Sequence, residues 1–149
     1  YEAKGRSGVS LAEQWEHDNA QAYLGTVVPN FPNFFTLYGP NLQPGHGGSL
    51  IFVVEMQVRY IMDMIQKMLD QNIGSVEIRQ EVHDGYNQEV DQAHEQMVWT
   101  HPGMTSYYRN DRGRIVVNSP WRNVDFYAMT KEANLSDYLI EPVSELVAD

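Results

Sequence analysis

The sequence predicts a mixed α/β to α+β fold: a short strand, a glycine-rich turn and a long helix, then a small cap of strand, helix and hairpin. Three observations carry this. Residues 34–38 form a short apolar run that stops at Gly39-Pro40, and a loop with Gly45, Gly47 and Gly48 leads from there to Ser49. From Ser49 to about Asn72, Leu50, Val53, Val54, Val58, Ile61, Ile65, Met68 and Leu69 recur at three- and four-residue steps, the spacing of one helix face. Residues 76–82 then alternate as a strand with one wet face does, and Asn110-Asp111-Arg112-Gly113 is a hairpin signal.

In chain order, Ser10 with Glu13 fits a capping box opening a short helix from Leu11 to about Glu16. Trp15 is an anchor candidate, with a tryptophan simply packed in a core the commoner reading, and His17 with Asp18 reads as a polar surface pair. Residues 23–28 read as extended and end at Pro29; Pro29 and Pro32 keep Asn30-Phe31 out of a helix. Residues 34–38 are a buried strand candidate. The long helix, about 23 residues, would run roughly 35 Å. Met56, Met62 and Met64 widen its apolar stripe, which implies burial on more than one side or a face awaiting a partner. Asn72 and Gly74 stop it. After the 76–82 strand, Asp84 caps a second helix from Tyr86 to about Thr100, ended by His101-Pro102-Gly103. Residues 105–109 and 114–117 are the arms of the hairpin, with Gly113 at the position needing positive φ. Residues 120–128 form a short helix opened by Ser119 and Pro120. Asn134 caps a last turn over 135–139, and the acidic tail from Glu141 is expected to fray.

Composition narrows the function. A length of 149 residues suits one domain, and 42% hydrophobic with 20% charged residues is a globular profile. The net charge of −10, from 20 acidic and 10 basic residues, argues against nucleic acid or an anionic membrane as partner. With no cysteine there is no disulfide framework and no thiolate site, which fits a cytoplasmic protein. His17, His46, His83, His94 and His101 contain no i, i+4 pair, so no metal is expected. No apolar run reaches the ~18 residues of a membrane span.

The order Asn30-Phe31-Pro32-Asn33-Phe34-Phe35, then Gly39-Pro40-Asn41, then Gly45-His46-Gly47-Gly48-Ser49, resembles the closing segment of the flavin domain in FAD-dependent Baeyer–Villiger monooxygenases, most of all the 4-hydroxyacetophenone monooxygenase type. The resemblance is dense over about residues 9–60 and thinner over 99–138. It implies residues 1–29 as the return connection from an NADP domain, 30–73 as the last strand and helix of the FAD domain, and 74–149 as a C-terminal α+β cap. No G-x-G-x-x-G occurs, the family's F-x-G-x-x-x-H-x-x-x-W-P motif is absent, and the chain opens at Tyr1. The expectation is therefore a C-terminal part of a larger enzyme, inactive alone, whose partners are the N-terminal FAD and NADP domains. The parent would use FAD and NADPH to form a flavin C4a-peroxide and insert oxygen beside the carbonyl of a small ketone. Oxidation of nitrogen or sulfur is the alternative within flavin monooxygenases. A non-catalytic module that pairs as a homodimer through the 49–72 helix is the alternative outside them.

Glycine-rich loop residues Gly45, Gly47 and Gly48, with His46 and Ser49, are the strongest site candidates. Glycines let a backbone approach a flat ring closely, and a helix start offers free N–H groups and a positive dipole end to an anionic flavin. By spacing alone an ordinary loop with a serine cap fits equally well. The resemblance favours the flavin contact and predicts that a side chain at Gly47 or Gly48 would collide with the ring. Gly39, Pro40 and Asn41 share the resemblance, with Asn41 equally a turn-former. His46 reads as structural or as a ring contact. Trp121 and Arg122 are implied on the NADP and substrate side, Arg122 by its capacity to hold a phosphate bidentately; a tryptophan closing a helix against a hairpin fits as well. Tyr107, Tyr108, Phe126 and Tyr127 are candidate apolar walls, although aromatic stripes are more often core. No catalytic acid or base is assigned to this chain.

Overall fold

The computed structural model describes residues 2–143. Its elements are α1 (Leu11–Gln14), β1 (Gln43–Pro44), α2 (Leu50–Asp70), β2 (Ile73–Ile78), α3 (Gln80–His94), β3 (Asn118–Ser119), α4 (Asn123–Met129) and β4 (Tyr138–Pro142), with 3-10 turns at Val98–Thr100 and Leu135–Asp137. Two small sheets form: β1 beside β3, parallel, and β2 beside β4, antiparallel with Ile78 opposite Tyr138.

Helix α2 is the axis of the core. Its buried side chains are Val53, Met56, Gln57, Tyr60 and Met64. They pack with Val76 and Ile78 of β2, Tyr86 and Val90 of α3, Phe126 of α4 and Tyr138 of β4. The Tyr60 and Tyr138 hydroxyls meet at 2.6 Å inside this core. Burial pushes both phenols well above the usual tyrosine value, so each stays protonated. A smaller cluster of Ala22, Val28 and Phe31 takes in Trp15 and Phe34.

The helix face differs from the one its periodicity picks out. Leu50, Val58, Ile65 and Leu69 are exposed, while Gln57 and Tyr60 are on the buried side. Apolar residues occur nearly all round α2, so spacing alone could not choose between faces. Ile51, Val58, Met62, Ile65 and Leu69 run along the outer side at three-, four- and seven-residue steps, with Ile51 65% and Leu69 74% exposed.

Residues 34–38 are not a strand, and Leu37 and Tyr38 are exposed. Positive φ at Leu24 (52°), Asn30 (71°), Asn33 (56°), Tyr38 (54°) and Asn41 (56°) repeatedly turns the chain where a strand would have to stay extended. The backbone is satisfied by other means. Thr36 N–H donates to the Thr26 carbonyl, and Tyr38 N–H donates to Gln57 Oε1 at 2.7 Å. Asn33 reaches β2 through its own N–H to Val76 O, its Nδ2 to Gly74 O, and its Oδ1 accepting from Val76 N. Residues 23–28 likewise fold into a turn closed by a Tyr23–Val27 bridge.

The capping box at Ser10 and Glu13 forms, although α1 ends at Gln14. Asn72, at φ 55°, follows the Gln71 cap of α2. The 76–82 strand lies instead at β2, and α3 begins at Gln80, so Asp84 is inside that helix and caps nothing. Asp84 Oδ1 is held by His83 and Gln80. The 110–113 turn forms with Gly113 at φ 85°, but its arms pair only at Arg109 and Ile115. Helix α4 starts at Asn123, three residues after Pro120, and Asn134 caps the last 3-10 turn through Ser136 N–H. His17 and Asp18 do not pair; Asp18 accepts from Asp111 N–H. Of the acidic tail, residues 144–149 lie outside the described residues, while Glu141 and Pro142 belong to β4.

Candidate functional site

The 41–49 stretch is carried past a second segment of backbone. Asn41 N–H donates to Val116 O, Gln43 N–H to Val117 O, and β1 pairs with β3. This sets the glycine loop beside residues 120–123. His46 Nε2 is 3.0 Å from the Pro120 carbonyl. A carbonyl can only accept, so His46 carries its proton on Nε2, which suits a structural tie and leaves that nitrogen unable to act as a base. The two sequence candidates, 45–49 and 121–122, are thus neighbours.

The three loop glycines have separate reasons. A Cβ on Gly45 would stand 2.6 Å from the Trp99 indole. A Cβ on Gly48, at φ 111°, would stand 2.3 Å from Asn123 Nδ2. The nearest group to such a Cβ is the amide end of this chain's own Asn123, and the φ of 111° is what favours glycine there. Gly47, at φ 86°, faces open space. Its positive φ and bare outer side leave the loop able to admit a flat group at contact distance. Ser49 caps α2 by backbone only and makes no side-chain cap bond, and residues 45–50 are all exposed. The first amide groups of a 21-residue helix therefore open towards solvent next to Gly47. These features fit an anionic, planar ring at the loop; Gly47, Gly48, Ser49 and the α2 N-terminus are the groups that would hold it.

Asn41 is buried, with Nδ2 donating to Ile115 O at 2.8 Å and Asn118 O at 3.2 Å. It braces the loop from beneath. Gly39 is equally structural, since a Cβ there would stand 2.3 Å from the Gly25 carbonyl oxygen. Pro40 is half-buried beside it. Trp121 donates from Nε1 to the Tyr86 hydroxyl at 3.1 Å and packs against the core. Arg122 is exposed and holds Asp125 through two bonds, Nε at 2.6 Å and Nη2 at 2.8 Å. That pair raises the guanidinium and lowers the Asp125 carboxyl from their ordinary values. Of the wall candidates, Phe126 is core, Tyr127 lies under the Arg59 guanidinium at 3.9 Å, and the Tyr107 and Tyr108 rings meet at 4.5 Å, tilted by 60°.

The sequence reading missed His94 and Trp99. Trp99 Nε1–H donates to His94 Nδ1 at 3.0 Å. Burial pushes the His94 imidazole down to about 4; Arg114 adds to this, while Asp91 and the Asn118 carbonyl oppose it. The signal was present: His83, Asn87, Val90 and His94 fall on one face of α3, and that face is buried. No group of three metal-ligating side chains occurs among the described residues, and no helix among them is long and apolar enough to cross a membrane.

No known family profile matches the chain. It is 50% identical over 141 residues to an uncharacterized monooxygenase, y4iD, of Sinorhizobium fredii, covering 95% of this chain and 21% of that protein. It is 32% identical to a Baeyer–Villiger monooxygenase of Pseudomonas aeruginosa, covering 90% of this chain and 25% of the other. The chain therefore spans about a fifth to a quarter of the relatives it matches. Among solved structures, an oxidized steroid monooxygenase bound to NADP superposes with a TM-score of 0.80 at 21% identity, over 95% of this chain and 27% of the other. The OTEMO complex with FAD and NADP follows at 0.76, also at 21% identity, over 94% and 26%. This likeness concerns the fold.

Proposed function

We infer that the chain, a C-terminal segment of the flavin-dependent Baeyer–Villiger monooxygenase kind, supplies the parent enzyme with one wall of its FAD site. The parent would take electrons from NADPH and place an oxygen atom beside a ketone carbonyl, giving an ester or lactone; FAD supplies the oxygen-activating chemistry. The observation that carries this is the bare, positive-φ face of Gly47 beside the open N-terminus of α2. In this reading the α2 N–H groups and loop amides favour the negative charge of a reduced flavin without moving. His46 and Asn41 hold the loop, and neither transfers a proton. Trp121 and Arg122 face the NADP and substrate side, where Arg122 would exchange Asp125 for a phosphate. Residues 1–29 would be the connection from the NADP domain, 30–73 the end of the FAD domain and 74–149 the cap.

The exposed apolar side of α2 supports a second part of the reading. Ile51, Val58, Met62, Ile65 and Leu69 would be covered by the rest of the parent chain, which is most of the length of the relatives. A chain with neither dinucleotide fingerprint and no assigned acid or base is expected not to turn over alone. Substrate type within the family, including the 4-hydroxyacetophenone kind, and oxidation at nitrogen or sulfur depend on residues upstream. The test is the purified full-length protein. One FAD per chain and ketone-dependent oxygen insertion with NADPH are expected. A colourless full-length protein would contradict the reading, and self-association of α2 would then be the better account.

A further inference from the structure

We propose that His94, acting through Trp99, is a positioning residue that holds the 45–49 loop in the shape in which it receives its ligand; the inference rests on the flavin reading of that loop. An indole N–H can only donate, so the 3.0 Å contact makes His94 Nδ1 the acceptor and puts the imidazole proton on Nε2. Nε2 faces Asn118 and the Asn41 amide, 3.3 Å away. The amide's own hydrogens are directed to the Ile115 and Asn118 carbonyls, and the Asn118 backbone is the acceptor that faces the imidazole. The ring is thereby fixed in one neutral tautomer between β3 and Trp99. His94 is 3% and Trp99 6% exposed, so neither partner has water to fall back on.

The other end of the indole is the loop. Trp99 Cη2 and Cζ3 would stand 2.6 Å and 2.8 Å from a Cβ on Gly45, and the His46 ring is 5.6 Å from the indole, tilted by 55°. The loop has few ties of its own: His46 to Pro120 O, and Gly47 N–H to Pro44 O at a long 3.4 Å. A bar fixed at one end by His94 and pressed on the loop at the other therefore sets where Gly45 and His46 sit, and through them Gly47.

The test is backbone hydrogen exchange over residues 45–49 in the full-length, FAD-loaded enzyme and its apo form. His94→Leu removes the acceptor, His94→Asn keeps one near the Nδ1 position, and Trp99→Phe shortens the bar. Exchange of the loop is expected to rise roughly tenfold in His94→Leu and Trp99→Phe, and to stay near wild type in His94→Asn. Unchanged exchange in His94→Leu, or an equal rise in His94→Asn, overturns the proposal. Should His94→Leu fail to fold, unchanged exchange in Trp99→Phe overturns it equally. FAD affinity separates the two readings: faster exchange with weaker FAD binding supports both. Faster exchange with unaltered FAD binding supports the positioning and removes the flavin contact.

Discussion

Gln57→Leu is the sharpest stability prediction. Gln57 is fully buried on the core side of α2. Its Nε2 donates to Gly25 O at 3.0 Å and Thr26 Oγ1 at 2.8 Å, with Thr36 O a longer third contact at 3.3 Å, and its Oε1 accepts from Tyr38 N–H at 2.7 Å. The losses are unequal. Gly25 O keeps Thr36 Oγ1 at 3.0 Å, and Thr26 Oγ1 still donates to Leu24 O at 2.9 Å, so neither is orphaned. Tyr38 N–H loses its acceptor, at a residue 37% exposed that solvent can partly reach. One partly orphaned donor and two lost bonds at ~1 kcal/mol each, less the gain from a buried isobutyl group, come to about 1–2 kcal/mol. In a chain of this size each kcal/mol lowers the melting midpoint by roughly 2–5 °C. Urea unfolding followed by tryptophan fluorescence measures it. A loss under about 0.5 kcal/mol, the range of an ordinary surface change, would refute the claim that Gln57 pins the 24–38 segment to α2.

Four further outcomes are expected. Tyr60→Phe strands the Tyr138 hydroxyl and costs about 1–2 kcal/mol, whereas Tyr60→Phe with Tyr138→Phe costs no more than the single change; a double mutant showing the sum of both singles would contradict the pair. His94 titrates at 6.5 when unfolded and about 4 when folded, so only the unfolded chain gains a proton between those values. Stability is therefore full above pH 6.5 and falls as pH drops towards 4, and His94→Asn flattens that part of the profile; a wild-type profile unchanged by the substitution would contradict it. Ile65→Glu with Leu69→Glu leaves folding of this chain within about 0.5 kcal/mol but weakens its association with the rest of the parent, read by size-exclusion of the separately expressed parts; unaltered association would mean another face docks. Arg122→Ala raises the KM for NADPH by roughly tenfold with FAD content unchanged, and identical kinetics would remove Arg122 from the cofactor side.

What could be read from sequence followed the strength of local chemistry. The Ser10–Glu13 box, the α2 span, the Gly113 turn and the Asn134 cap each rest on interactions within a few residues, and each is found. The α2 face could not be read, because apolar residues surround the helix and the choice is made by what β2, α3 and β4 present to it. The 34–38 run looks like a strand by composition, yet its partners are Thr26, Gln57 and β2 through Asn33, all distant in sequence. A polar glutamine in an apolar stripe was the available warning. The loop was recognisable from its glycines, but the reason for each was not: Gly45 answers to Trp99, Gly48 to Asn123, and only Gly47 to open space.

That last difference gives the most direct measurement of the central claim. Gly47 and Gly103 have nearly the same φ, 86° and 90°, and both face open space. Leucine at either position meets a similar positive φ, so the pair isolates what Gly47 faces in the full-length enzyme. Flavin stoichiometry of the purified proteins is the readout. Gly47→Leu should come off without flavin while Gly103→Leu keeps it; equal flavin content in the two would show that nothing planar rests on that turn.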